Sequence, residues 1–134
     1  MKKIEHIGIA VKDLKAANNL YSKLLNTSPY KMEEVDSENV NTSFFQVGES
    51  KIELLEGTSP DSPISKFIEK RGEGVHHIAF EVDDIEKEIA RLTKEGFQMI
   101  HEKPKDGADN KLIAFLHPKS SNGVLIELCQ EKVQ

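Results

Sequence analysis

His6-Ile7-Gly8-Ile9-Ala10-Val11-Lys12-Asp13-Leu14 is a stretch that the chain repeats as His77-Ile78-Ala79-Phe80-Glu81-Val82-Asp83-Asp84-Ile85, at an offset of 71 (77 − 6). A second match joins Lys51-Ile52-Glu53-Leu54-Leu55 to Leu125-Ile126-Glu127-Leu128-Cys129, at an offset of 74 (127 − 53). Each copy therefore begins with a histidine in an apolar strand and ends with a glutamate in another. Two histidines and two carboxylates are a suitable ligand set for a divalent metal. The repeat thus predicts the fold and a candidate site together.

The totals restrict the class of protein. A chain of 134 residues is one domain, or two very small ones that share a core. A net charge of −5 gives no electrostatic reason to expect nucleic acid or an anionic membrane as a partner. The single cysteine, Cys129, cannot form an internal disulfide, and no apolar run approaches the roughly 20 residues of a membrane span. The start of the chain also lacks the apolar core of a signal peptide, so we expect a cytoplasmic protein.

The first copy has the pattern of a strand, a helix and three more strands. A strand is predicted over residues 2–11, and Asp13 is suited to cap the helix that follows. The apolar stripe of that helix consists of Leu14, Ala17, Leu20, Tyr21, Leu24 and Leu25. Three short strands are predicted at about 30–36, 40–47 and 50–56, with the last two joined by a turn at Gly48-Glu49.

The second copy has the same order of elements. Turn-forming residues from 57 to 63 predict a linker, and a short helix from Ile64 to Arg71 should follow it. A second capped helix is expected from Asp84 to Gly96, where a glycine suits the left-handed end of a helix. The remaining strands are predicted at about 97–101, 111–117 and 123–130, and the polar segment 102–110 is a candidate substrate loop.

Both copies therefore predict a βαβββ module. The first module covers about 1–56, the linker and short helix about 57–73, and the second module about 74–131. Neither small sheet can bury its apolar face alone, so we expect a single α+β domain over 1–134, with both modules in one curved, mostly antiparallel sheet around a metal site.

The four repeated residues form the candidate site. A lone strand histidine is usually a core or surface residue, and a glutamate in Ile-Glu-Leu usually lies on the solvent face of a strand. All four at equivalent positions of a repeat favour a metal site formed by His6, Glu53, His77 and Glu127. His76 competes with His77, but the repeat aligns His77 with His6, so we expect His76 to pack or to support the site.

The same segments resemble the vicinal oxygen chelate, or glyoxalase-like, superfamily, and most closely its methylmalonyl-CoA epimerase branch. The resemblance covers nearly the whole chain. Its more specific segments are Val75-His76-His77-Ile78 and Leu116-His117-Pro118-Lys119, followed by Gly123-Val124-Leu125-Ile126-Glu127-Leu128.

The resemblance implies paired βαβββ modules, a homodimer, and a cobalt or manganese ion, with nickel or zinc as other options. It also implies inversion of (R)- and (S)-methylmalonyl-CoA, with His6, Glu53, His77 and Glu127 as ligands. Some relatives have a glutamine at the position of Glu53. Such an ion would act as a Lewis acid on the enolate that forms when the α-proton is removed, and about two octahedral positions would remain for the acyl-CoA substrate.

The two proton-transfer groups are not equally well determined. The resemblance assigns one catalytic glutamate to Glu127. In some relatives the other falls near Ser43, where this chain has no acid. Glu34, Asp36, Glu38 or His101 therefore remains open as its substitute.

The resemblance also implies that Lys111, His117 and Lys119 bind substrate, although solvated loop lysines beside a turn proline would give the same pattern. Cys129 is expected to be a small apolar filler. Three alternatives share the fold: a glyoxalase I-like lactoylglutathione lyase, a ring-cleaving dioxygenase, and a metal-free drug-binding resistance module. The four-ligand set argues against the last two, because the dioxygenases use two histidines and one carboxylate and the resistance module needs no ligands.

Overall fold

The computed structural model describes residues 1–132. Within them the order of elements is β1 Lys3–Ala10, α1 Leu14–Leu25, β2 Lys31–Val35, β3 Val40–Val47, β4 Ser50–Gly57, α2 Pro63–Arg71, β5 Gly74–Glu81, α3 Ile85–Lys94, β6 Lys105–Gly107, β7 Lys111–Leu116 and β8 Ile126–Glu131. Both copies are thus βαβββ, as predicted, and α2 links them in an α+β fold. In the described part of the chain, no helix is both long and apolar enough to span a membrane.

The chain divides into two compact units. The first unit is the continuous segment His6–His76, and the second unit combines residues 1–5 with the chain from His77 onward. Each boundary lies inside a strand, immediately before one of the two histidines of the repeat. The first unit therefore includes the predicted linker and short helix.

The first unit contains β2, β3, β4 and the part of β1 from His6 onward, in the order β2-β3-β4-β1. Strand β3 is antiparallel to β2 and β4, and β4 is parallel to β1. Helix α1 covers one face through a buried apolar cluster of Val11, Leu14, Ala17, Phe45 and Leu54. Ile52 packs against this cluster, so the next residue along β4, Glu53, lies on the opposite face of the sheet.

The second unit has the equivalent arrangement, with strands in the order β5-β8-β7-β6. Strand β5 is parallel to β8, and β7 is antiparallel to both β8 and β6. Helix α3 covers one face through a buried cluster of Val82, Ile85, Ile89, Leu92, Ala114, Leu116 and Leu128. Leu128 belongs to this cluster, so the preceding residue, Glu127, lies on the other face.

Both predicted N-caps are confirmed. The Asp13 side chain accepts a hydrogen bond from the backbone N–H of Ala16 at 3.1 Å, and Asp84 accepts one from Lys87 at 3.1 Å. Each contact satisfies one of the backbone donors that the first turn of a helix leaves unpaired.

One predicted strand is wrong. Residues 97–101 form only a single bridge, between Met99 and Leu116, and the strand β6 lies inside the predicted loop 102–110. Two segments divide the edge of β7 between them. The Ile100 N–H donates to the carbonyl of Phe115 near the end of β7, and β6 pairs with the beginning of β7. Pro104 lies between the two pairings and has no N–H to continue a ladder.

Candidate active site

The first histidine–glutamate pair lies in the first unit. His6 Nδ1 is 3.0 Å from Glu53 Oε2. Both residues are buried, at 4% and 5% exposure. The parallel register of β1 and β4 places Gly8 directly beside Glu53, so no side chain on that neighbour crowds the carboxylate.

The second pair lies in the second unit and matches the first. His77 Nε2 is 3.0 Å from Glu127 Oε1. Both residues are again 5% exposed. The neighbour of Glu127 on β5 is Ala79, another small residue. The two copies therefore build equivalent pairs, although the histidines use different ring nitrogens.

The chemistry of each pair suits a divalent metal ion. A buried carboxylate is costly unless hydrogen bonds, a proton or a cation compensates for its charge, and a neutral imidazole supplies no net charge. Ligand atoms in neighbouring octahedral positions, about 2.1 Å from an ion, lie about 3.0 Å apart, against about 3.4 Å in a tetrahedron. The N···O distance of 3.0 Å in both pairs fits the octahedral case, and it is also an ordinary hydrogen-bond distance.

An aromatic ring lies close to His77 and to a further histidine, His101. Phe115 lies directly opposite Glu127 in the ladder, and its ring centroid is 5.7 Å from that of His77 and 5.8 Å from that of His101. The Nδ1 atom of His101 accepts a hydrogen bond from the Phe115 backbone N–H at 3.1 Å. In a neutral imidazole the proton must then be on Nε2.

The three predicted substrate residues lie at opposite ends of β7. Lys111 begins the strand, is 5% exposed, and its ammonium is 3.5 Å from Glu131. His117 follows the strand, and its Nδ1 accepts from the Lys119 backbone N–H at 3.1 Å, so it caps a short 3₁₀ turn. The Lys119 side chain is exposed. Because β7 separates them, Lys111 and Lys119 cannot bind the same small anionic group.

The acids considered near Ser43 lie on or just after β2, and β3 separates β2 from the strand that carries Glu53. Ser43 is opposite Leu54, so it lies on the face that α1 covers rather than on the face of Glu53. Glu34 is exposed on β2, and Asp36 and Glu38 lie in a short 3₁₀ helix after it.

Sequence reasoning missed two residues that support these strands. Glu56 accepts a hydrogen bond from the backbone N–H of Leu14 at 3.0 Å, and Gln130 accepts one from Ile85 at 2.7 Å. Glu56 and Gln130 are 74 residues apart (130 − 56), the same offset that relates Glu53 to Glu127. The repeat could therefore have indicated that they occupy equivalent positions. His76 packs edge-on against the Phe67 ring, with 4.9 Å between the ring centroids, in agreement with the expected packing role.

Comparison with known proteins identifies the family. The family model of the glyoxalase/bleomycin resistance protein/dioxygenase superfamily matches residues 5–115. The ethylmalonyl-CoA/methylmalonyl-CoA epimerase of Cereibacter sphaeroides is 38% identical over 130 residues, which cover 96% of this chain and 97% of that protein.

Two solved structures are also similar. A hypothetical protein from Bacillus halodurans is 48% identical, with a TM-score of 0.95 and coverage of 98% of this chain and 96% of that one. A variant methylmalonyl-CoA epimerase of Streptomyces coelicolor, in complex with 2-nitronate-propionyl-CoA, is 34% identical, with a TM-score of 0.94 and coverage of 99% and 96%. The chain therefore belongs to the glyoxalase/bleomycin resistance protein/dioxygenase superfamily and, within it, to the methylmalonyl-CoA epimerase family of enzymes.

Proposed function

We propose that this protein interconverts (R)- and (S)-methylmalonyl-CoA by removing and returning the α-proton. The observation that carries the proposal is the pair of buried histidine–glutamate contacts, each at 3.0 Å, at equivalent positions of the two copies. The similarity of the whole chain to known epimerases supports the same activity.

The proposed ligands of one divalent ion are His6, Glu53, His77 and Glu127. Two carboxylates and two neutral imidazoles balance the charge of such an ion. The family resemblance implies cobalt or manganese, with nickel or zinc as other options. When bound, the ion supplies positive charge that offsets the negative charge developing on the thioester oxygen as the proton leaves.

Glu127 is the proposed base. Its Oε1 atom is 3.0 Å from His77 Nε2. We therefore propose that the other carboxylate oxygen, Oε2, accepts the α-proton of the substrate. Phe115 lies directly opposite Glu127 in the ladder, so the two side chains share one face of the sheet. Inversion also needs a group that returns a proton to the opposite face of the carbon. His101 is our candidate for that group, because its ring lies 5.8 Å from the ring of Phe115, which is the neighbour of Glu127 in the ladder. To donate a proton, His101 would have to be an imidazolium, with Nδ1 protonated and the hydrogen bond from the Phe115 N–H given up.

Two lysines and a histidine around β7 are the proposed substrate-binding residues. Lys119 and Lys111 would contact different parts of an acyl-CoA, since they lie at opposite ends of β7, and His117 would hold the turn that carries Lys119. We further propose a homodimer, as the family resemblance implies, and a cytoplasmic location, as expected from the sequence.

The decisive experiment follows the α-proton by NMR. Protein loaded in turn with cobalt, manganese, nickel or zinc is incubated with (S)-methylmalonyl-CoA in D₂O. We expect loss of the α-proton signal together with formation of the other epimer. No exchange with any of these ions would refute the proposal, and turnover of a glutathione hemithioacetal instead would favour the lyase.

The His77→Ala variant tests the ligand assignment in the same assay. Removing one imidazole should lower metal affinity by more than about 100-fold and abolish exchange, because loss of a ligand exceeds the cost of losing a supporting residue. A variant that retains both metal and full activity would contradict the assignment.

A further inference from the structure

The last strand of each copy holds the start of that copy's helix. Glu56 Oε2 is 3.0 Å from the backbone nitrogen of Leu14, and Gln130 Oε1 is 2.7 Å from that of Ile85. Leu14 and Ile85 are the first residues of α1 and α3. Both the acceptors and the donors are repeat equivalents, with offsets of 74 (130 − 56) and 71 (85 − 14).

These contacts satisfy donors that the helices cannot satisfy themselves. The first turn of a helix leaves its backbone N–H groups without partners inside the helix. Asp13 and Asp84 accept from the third residue of each helix, and Glu56 and Gln130 accept from the first. The side-chain acceptor thereby ties each helix to the strand that carries the glutamate of the pair.

The contacts lie close to the histidine–glutamate pairs along both strands. Glu53 precedes Glu56 on β4, and His6 lies on β1, which leads into α1. A backbone bond from Val11 to the Leu55 carbonyl, 2.9 Å long, lies between the pair and the helix contact. The second copy repeats it from Val82 to Cys129, also at 2.9 Å.

We infer that Glu56 and Gln130 are positioning residues that hold His6 at Glu53 and His77 at Glu127. Glu56 fixes the end of β1 that leads into α1 against β4, the strand of Glu53. Gln130 fixes the end of β5 that leads into α3 against β8, the strand of Glu127. The inference rests on the proposed function only where metal affinity is concerned.

The two copies provide a chemical control. One uses a carboxylate and the other an amide for the same contact, so the role requires an acceptor oxygen and no negative charge. Glu56→Gln should therefore retain the function that Glu56→Ala loses.

The experiment measures the imidazole ring-nitrogen signals of His6 and His77 by NMR in the metal-free protein. Glu56→Ala should shift or broaden the His6 signals and leave those of His77 unchanged, and Gln130→Ala should do the reverse. Glu56→Gln should restore the His6 signals. A general loss of stability would instead affect both histidines together, and that result, or unchanged signals in a folded Glu56→Ala variant, would overturn the inference.

Metal titration of the same variants gives a second measurement. Glu56→Ala should bind cobalt about 10- to 100-fold more weakly, the range found for residues that orient ligands, and Glu56→Gln should bind as wild type does. If the wild-type protein binds no ion, the proposed function fails, while the metal-free NMR comparison still decides the positioning role. If Glu56→Ala does not fold, Gln130→Ala tests the same role in the other copy.

Discussion

The two copies agree at the histidine–glutamate pairs and differ in the turn beyond them. In the first copy β3 and β4 are joined by Gly48-Glu49, and in the second a longer segment, 117–125, joins β7 to β8. The ladder registers are equivalent, since Phe45 pairs with Ile52 and Leu116 with Ile126. The change of offset from 71 to 74 therefore places three additional residues between these equivalent ladder pairs, in the segment that carries His117 and Lys119. The rest of the difference in turn length arises because only the first copy continues its ladder to Val47 and Ser50. The strands preserve the pairs, while the connection between them varies.

The largest expected effect separates the two glutamates. Glu127→Gln should lower the exchange rate about 10²- to 10⁴-fold, because the proposed base is lost. Glu53→Gln should cost only a few-fold, because an amide oxygen can still act as a ligand. The measurement is α-proton exchange of metal-loaded variants. Equal losses of exchange rate in the two variants would show that Glu127, like Glu53, acts only as a ligand.

The next prediction concerns residues opposite Leu54 and Leu128. Ser43 faces Leu54 with a buried hydroxyl that has no hydrogen-bond partner among residues 1–132, and Ala114 faces Leu128. Ala114→Ser should lower the free energy of unfolding by about 1–3 kcal/mol, the cost of a buried unpaired hydroxyl, and Ser43→Ala should raise it. Urea denaturation measures both. A destabilised Ser43→Ala variant would show that the hydroxyl has a partner after all.

The helix caps should be energetically equivalent. Asp13→Ala and Asp84→Ala each remove a 3.1 Å cap contact and should each cost about 1 kcal/mol. The caps are in different units, so the loss of unfolding free energy in the double variant should equal the sum of the losses in the two single variants. Thermal denaturation of the three variants checks this, and a strongly unequal pair would mean that the copies differ in local stability.

The smallest effect tests the longer turn of the second copy. Lys119→Ala should raise KM for the acyl-CoA about threefold and leave kcat unchanged, because an exposed ion pair contributes little. Lys66→Ala, which removes another exposed lysine on α2, is the control and should leave both constants unchanged. A fall in kcat with constant KM would exclude a binding role for Lys119.

Several features were predictable because they depend on local sequence. The alternation of strands and the caps at Asp13 and Asp84 follow from short-range spacing. The equivalence of the two copies follows from the repeat at offsets of 71 and 74. The position of β6 was not predictable, because it depends on how the edge of β7 is divided on either side of Pro104. The contact of Glu56 was missed because a glutamate at the end of a strand has the same pattern as a solvent-exposed one.

The division of the chain also has a consequence for its synthesis. Residues 1–5 belong to the second unit, where the Lys2 backbone N–H donates to the Glu81 carbonyl at 2.8 Å. At about 5–20 residues per second, a ribosome needs roughly 4–16 s to make the 79 residues (81 − 2) that separate them. The segment His6–His76 is complete before then and is continuous, so the contacts within it need no residue that is made later. Residues 1–5 are made before that segment, yet they are among the last to reach their native partners.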